Sequence, residues 1–588
     1  MKRRLFALAL ALLLAVSLPV SALARDWYID EGDITIRATE NGQTVKQGDK
    51  DAVEDAAPVI KQRNSETATD KTIKIETTGD ATADVTIEDV NISSKGDAID
   101  VGSSSANITL KRDNKLFSET GSALHVSSGD VTIDGDGTLE AGSENEDNNH
   151  AAIGSHAEEG MSGDITIGGS AKVTAVSRDD GAGIGSGDMG KMSGDITIGD
   201  NAQVTAWSET GGAGIGSGRE SDVSGTITIG GNAQVTAGSN SETAGIGSGN
   251  DGSITSTGRI IIRDSAKVTA IGEDEGAGIG TGEDEHMAGM IIIQDNAQVT
   301  AIAGDRAAAI GSDNRNEMTG TIFILGNARI TTGILLDDDV SFDYTTKEIK
   351  YTLNENAIGY IGDSSNSHHD SANGHYVIGS DVTINGISGS NIEALKDYIN
   401  MRLNSDGELE NLTRLDIRSE NGKFTVDASG EGTVENILYD GSETVPTAPG
   451  TYPVTCVVRF GDETLEFQIG TLIVPEPSAE AAQPAPVYHV TDKDGNQIPY
   501  TAAREGDVLT IRVDAAYARL TLTADEAQAL TAQGVEKVVF ITTGATSAFR
   551  PADLTAYKDE APFVLTHDGE TVTFTAGETD LASLLLQA

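Results

Sequence analysis

The feature that most limits the fold is a short phrase that keeps returning at a fixed interval. GAGIGSG begins at Gly181 and at Gly212, AGIGSG at Ala244, GAGIGTG at Gly276 and AAAIGSD at Ala307. Aligned on Ile153, Ile184, Ile215, Ile246, Ile279 and Ile310, the steps are 31, 31, 31, 33 and 31 residues. Two more columns keep the rhythm: Ile165, Ile196, Ile227, Ile260, Ile291, Ile322, and Val173, Val204, Val235, Val268, Val299, Ile330. A fixed period of this size marks a stacked solenoid.

Each unit reads as three short strands, GDITIGG, AQVTA and AGIGS. Side chains alternate within them, so Ile165 and Ile167 face one way and Asp164 and Thr166 the other. No helical spacing is present. A turn with four large aliphatic side chains cannot offset the entropy of ordering thirty-odd residues alone. Stacking on neighbours supplies what is missing. The fold class expected is mainly β: a parallel β-helix, a solenoid with three short strands per turn of about 31 residues.

In this frame GAGIGSG is structural. The isoleucine fills the core, and Ser186, Ser217, Ser248, Thr281 and Ser312 form a hydroxyl column two residues on. A phosphate loop needs a helix after it, and none is predicted. Ser170, Asn201, Asn232, Ser265, Asn296 and Asn327 mark a corner, where Asn tolerates the left-handed conformation and bonds its stacked neighbour. GDAIDV around Ile99 and GSALHV around Leu124 occupy the AGIGS slot in degenerate form.

The expected organisation runs as follows. Residues 1–24 read as a secretory signal, with Lys2, Arg3 and Arg4 before an apolar run and Ala22-Leu23-Ala24 at the cleavage site. Residues 25–70, with a turn at Asn41-Gly42, cap the first turn; the β-helix covers 71–340. An end cap and helix cover 341–403, the helix being SNIEALKDYINMRL with Ser390 and Glu393 as its capping box. Residues 404–474 read as an immunoglobulin-like β-sandwich, with Cys456 a buried core thiol. A Pro/Ala linker follows at 475–486, then a small α+β domain at 487–588, its helix capped by Thr523 and Glu526.

Lys and Arg number 40 against 92 Asp and Glu, a net charge of −52. Such a surface repels nucleic acid and anionic membrane. After the signal, no apolar stretch is long enough to span a bilayer. The expectation is a secreted, extracellular or cell-surface monomer.

Two sets of side chains are candidates for binding. Thr174, Thr205, Thr236 and Thr269 continue as a column to Thr300 and Thr331, beside Lys172, Gln203, Gln234, Lys267, Gln298 and Arg329. They read either as strand-formers facing water or as a polar groove for a glycan. Trp207 follows the second strand and stacks on a sugar or packs beneath a loop. Loops after the second strand carry Glu144, Glu146, Asp147, Asp179, Asp180, Glu273, Asp274 and Glu275; loops after the third carry Glu158, Glu159, Asp188, Glu220, Asp222, Glu283, Asp284 and Glu285. Each set reads as a solvated charge run or as an oxygen-rich rail for Ca²⁺. His368, His369, Asp370 and His375 crowd one loop without a standard zinc spacing.

GDAIDV, TITIGGNAQVTA and AGIGSG together resemble the β-helix repeats of secreted carbohydrate-binding proteins of Gram-positive anaerobes, over roughly residues 70–335. YDGSETVPTAPGTYPVTC is similar to the small Ig-like modules of bacterial surface proteins. The resemblance implies binding of acidic polysaccharide, with calcium, on a fold shared with polysaccharide lyases. Asp97 fits the Asp of that family's GDGI slot, which holds Ala from Ala182 onward. The function expected is non-catalytic binding of extracellular polysaccharide or cell-wall glycan by a β-helix face. The alternatives are a lyase or hydrolase on the same solenoid, or a structural surface protein or adhesin.

Overall fold

The structure is a computed structural model. It describes residues 25–588 except 144, 284–285, 305, 313–317, 355–356, 358, 363–373, 401–410, 421–422, 431, 461–462, 475–487, 558–560 and 587–588. The signal, the Pro/Ala linker, Glu144, Asp284, Glu285, His368, His369 and Asp370 lie outside the described residues. The chain divides into two compact units, 1–474 and 475–588.

The first unit winds through three long, mainly parallel sheets of 14, 12 and 13 strands. Successive turns pair in register, each repeat isoleucine on the next: Ile153 on Ile184, Ile184 on Ile215, and so on to Ile310. All six are fully buried. The third strand is only two residues long, as at Ile184–Gly185. A parallel ladder also joins Met161, Met192, Val223, Ile254 and Met287 at single bridges, and these side chains enter the core. They fall in the loop stretch between the third and first strands, where no alternation announces them.

The glycine after each isoleucine is required by the stacking. Gly185 has φ +143°, and a Cβ there would meet the Gly216 carbonyl oxygen at 1.7 Å. The same clash recurs at Gly154, Gly216, Gly247 and Gly280. The hydroxyl column is structural too: Ser155, Ser186 and Ser217 each accept the amide of Gly187, Gly218 and Gly249 one turn on. The Asn corner bonds its stacked neighbour as expected, Asn232 Nδ2 donating to Asn201 Oδ1 at 3.2 Å. The left-handed residue, however, sits one position earlier, at Gly169, Asp200, Gly231, Asp264, Asp295 and Gly326. Asn therefore supplies the ladder, and the residue before it absorbs the bend.

The hairpin Ile34–Thr39/Gly42–Gln47 adds antiparallel pairing at one end of the third sheet. Buried glutamines close the exposed ladder: Gln43 bonds both the amide and the carbonyl of Asp84, and Gln62 accepts from Asn91 N. Such pairing blunts an open edge. At the other end the helix is shorter than the pattern predicts. Among the described residues of that stretch only Ile392–Leu395 is helical, and Asn391, not Ser390, caps it. Leu395 and Ile399 nevertheless enter the solenoid core, and Ile399 bridges Ile361. Core contact of these two side chains outweighs continuation of the helix.

The strand Leu412–Glu420 pairs parallel with His375–Gly379, extending the first sheet, then turns back as Lys423–Gly430. Thr433–Tyr439, Gly450–Phe460 and Glu463–Val474 form a three-stranded antiparallel sheet. Its Cys456, Val458 and Phe467 pack on Met290, Ile292, Phe323 and Val377, side chains from the last turns of the first sheet. Burial pushes the Cys456 thiol up to about 12. A second hairpin, from the strand Arg329–Asp343 to Glu348–Leu353, folds back over the second sheet. In the second unit, a five-stranded and a four-stranded sheet enclose a core that includes Phe540, Phe549, Phe563 and Phe574. The helix Ala524–Ala532 carries the expected capping box of Thr523 and Glu526.

Candidate functional site

Three surfaces of the solenoid carry polar chemistry. The first is the outward side of the second sheet. Lys172 pairs with Gln203, Gln203 with Gln234, Gln234 with Lys267 and Lys267 with Gln298; Thr174, Thr205, Thr236, Thr269 and Thr300 pair likewise. The Lys and Gln side chains are exposed and the threonines half-buried. Between them lie two shallow troughs of about 310 and 280 Å³, one over Lys172, Gln203 and Gln234, the other over Gln234, Lys267 and Gln298. Rungs recur at about 4.8 Å, the spacing of paired strands.

Trp207 lies on this same outward side, two residues beyond Thr205, but it is covered. It is buried with Val176, Ile271 and Ile302 beneath Val340, Phe342 and Ile349 of the folded-back hairpin. Its ring lies 6.3 Å from that of Phe342. An apolar residue closes the strand at each of those turns, and the hairpin covers the resulting stripe; Trp207 is not open to a sugar. Tyr344 bonds Glu209 and Lys347 bonds Glu140, so the hairpin reaches back across several turns.

The second surface is acidic. The two loop sets expected as separate rails meet, because the third strand between them is so short. Arg219 pairs with Asp180 from one set, at 2.7 Å, and with Asp188 from the other, at 3.4 Å. Thr210 donates to both Asp179 and Asp180, and Arg306 pairs with Asp274 and Glu275. The Glu273 carboxylate accepts the Ser241 amide. Burial, and then the charge of Asp180, raise Asp179 above the ordinary carboxylate range. Within the Ca²⁺ set, Asp179 and Asp180 thus meet at Thr210, and Asp274 and Glu275 meet at Arg306. A hydrogen bond to Glu283, burial and nearby carboxylates push Glu242 up to about 7.

The third surface escaped the sequence reading. Among the described residues, one group places three metal-ligating side chains within 4.8 Å of one another: Asp97, His125 and His156. Each comes from a different turn, beside Ile99, Leu124 and Ile153. Asp97 Oδ1 lies 2.7 Å from His156 Nε2, and Asp97 Oδ2 lies 3.6 Å from His125 Nδ1. Asp100 Oδ1 is 3.0 Å from His125 Nδ1, and Glu159 Oε2 is 2.8 Å from His125 Nε2. The two imidazoles stack, centroids 3.8 Å apart and planes 5° from parallel. His150 tilts against His156 at 4.7 Å.

The backbone holds this group in place. The Ser122 amide donates to Asp97 Oδ1 at 2.8 Å. A Cβ at Gly121 would meet that oxygen at 2.4 Å, so glycine keeps its place clear. Burial pulls His125 down, but the Asp100 hydrogen bond and the charges of Asp97 and Glu159 prevail and hold it at about 8. The His125 bond lowers Asp100 in turn. Burial and the neighbouring His156 lower His150. Beside the group opens a depression of about 610 Å³ lined by Lys74, Asp100, Ser104, His125, Ser127 and Glu159.

The signal for this group was a departure from the repeat. Asp97 stands where later turns have Ala182, Ala213 and Ala244; His125 where they have Gly185, Gly216 and Gly247; His156 where they have Gly187, Gly218 and Gly249. Of the loop histidines, His375 opens a strand of the first sheet. Among the described residues no helix is long and apolar enough to cross a membrane. Scans against family models, curated proteins and solved structures return no match.

Proposed function

We propose that the protein is a secreted or cell-surface, non-catalytic binder of extracellular polysaccharide, with the second sheet as its binding face. The observation that carries this reading is the in-register ladder of Lys172, Gln203, Gln234, Lys267 and Gln298 beside the threonine column. A polymer with a short chemical repeat is matched by a surface whose donors and acceptors repeat at about 4.8 Å, the scale of one sugar ring. Lys172, Lys267 and Arg329 put positive charge on that ladder in a chain of net charge −52, which favours an acidic glycan. With Trp207 covered, affinity rests on many weak polar rungs rather than on aromatic stacking.

The test is retention of the full chain on panels of pectic, cellulosic and cell-wall polysaccharides, with Ca²⁺ and with chelator. Retention is expected on an acidic polysaccharide, reduced at least ten-fold when Gln203, Gln234 and Gln298 are together changed to Ala. Loss of retention on chelation would bring the Ca²⁺ set into the binding; unchanged retention would leave the ladder to act alone. Release of unsaturated or reducing ends would replace this reading with a lyase or hydrolase. Absence of retention on every polymer would leave a structural surface protein.

A further inference from the structure

We infer that Asp97, His125 and His156, with Asp100, form a binding site for a divalent first-row transition ion of the Zn²⁺ type. The inference stands apart from the glycan reading, since the second sheet takes no part in it.

Convergence carries the argument first. Three turns of a solenoid whose equivalent positions in the turns from Gly181 to Gly282 are Ala and Gly deliver one carboxylate and two imidazoles to a focus within 4.8 Å. A solenoid needs none of the three for stacking, because the later turns stack without them. Donor type comes second. Two imidazole nitrogens with carboxylate oxygens suit Zn²⁺ and its neighbours, whereas Ca²⁺ takes oxygen alone. The calcium role that resemblance attaches to Asp97 therefore does not suit this donor set.

Orientation of the ligands is the third point. His125 Nδ1 and His156 Nε2 both face Asp97, and Asp100 adds an oxygen beside His125 Nδ1. On the far side of the ring, Glu159 lies 2.8 Å from His125 Nε2. With an ion at Nδ1, Glu159 is placed to hold the one remaining proton at Nε2, the usual arrangement of a carboxylate behind a ligating histidine. The adjoining depression leaves room for a water or an outside ligand at an open position.

The stack itself makes a prediction. An ion about 2.0–2.1 Å from both nitrogens cannot lie in two ring planes that are parallel with centroids 3.8 Å apart. Binding therefore splays His125 from His156.

The experiment uses the full chain, stripped with chelator and titrated with Zn²⁺ against a chromophoric competitor, and separately with Co²⁺ while visible absorption is followed. One equivalent of Zn²⁺ should bind, excess Ca²⁺ should not displace it, and Co²⁺ should give the d–d bands of a low-coordinate nitrogen–oxygen site. His125→Gln and His156→Gln should each weaken Zn²⁺ at least ten-fold, and Asp222→Asn, on an exposed acidic loop, should leave it unchanged. Circular dichroism checks that the variants remain folded. If a variant fails to fold, imidazole proton signals of the unmodified chain decide instead, two histidines shifting on Zn²⁺ addition. Binding that survives in both folded histidine variants, or Zn²⁺ that moves no imidazole signal, would overturn the site.

Discussion

The turns from Asp97 to Glu159 and those from Gly181 to Ser312 stack in the same three sheets and differ in three columns. In the later turns the columns hold Ala, Gly and Gly, and the side chains are absent because the next turn occupies their space. In the earlier turns they hold Asp97, His125 and His156. The earlier ladder makes room by shifting register between His125 and Val126. The most repetitive part of the chain is thus the part in which sequence reports packing. Chemistry gathers where the repeat is broken.

The most severe way to break this comparison is to move chemistry into a regular turn. Gly216→His would place a Cβ about where the Gly247 carbonyl lies, 1.8 Å away, at φ +142°. Strain of the special backbone region and overpacking together should cost about 3–5 kcal/mol, read as a lowered denaturation midpoint. A cost under about 1 kcal/mol, the central value for substitutions at large, would show that the glycine column is not imposed by stacking.

The hairpin over the second sheet ties the two regions together, since Lys347 reaches Glu140 and Tyr344 reaches Glu209. Phe342→Ala removes a buried ring from above Trp207. The expected loss is about 2–4 kcal/mol, at or below the usual range for Phe→Ala because one side of the site can collapse. Trp207 is one of two tryptophans, so a red shift of emission reports its exposure. An unshifted spectrum would mean that the hairpin does not cover it.

Much of the fold was legible because its signal is additive. Six copies of Ile-x-Ile and five of Val-x-Ala at one period leave little choice of architecture, and the isoleucine columns stack as read. The Met161 to Met287 ladder was not legible, since a single bridge per turn has no alternation to display. Nor was the shortening of the helix after Asn391, where burial of Leu395 and Ile399 decides the ending. For the site, the Lys/Gln/Thr ladder followed from alternation alone. Closure of Trp207 by residues 135 positions later, as at Tyr344 and Glu209, lay beyond any local pattern. The histidine group could have been found by asking which aligned columns change residue class.

Charge neutralisation separates the regions again and sets a pH test. Imidazoles face the carboxylates of the early turns, while arginines and a shared proton serve the later ones. Glu242 is raised from 4.5 to about 7, first by its bond to Glu283 and then by burial. In the folded state this group keeps its proton above the pH at which the unfolded chain releases it. Its contribution to stability is therefore complete below pH 4.5 and is lost as pH rises through about 7. Glu242→Gln cannot ionise, so its thermal midpoint should fall less across that window than the unmodified chain's. Parallel profiles would remove the shared proton from the account.

The smallest effect is expected at the asparagine corner, and its size follows from the geometry. Asn232 donates to Asn201 across one turn boundary at 3.2 Å, and Asn327 to Asn296 at 3.4 Å, all at exposed positions. Ser170 and Ser265 interrupt the column, so no bond there is reinforced by a continuous amide stack. The bend is held by the preceding residue, Gly231 at φ +62°, which the substitution leaves in place. Asn232→Ala therefore loses one solvent-facing hydrogen bond, about 0.5 kcal/mol at the low end of the net range. If denaturation instead showed a cost near that of the Gly216 substitution, asparagine would be fixing the bend as well as the ladder.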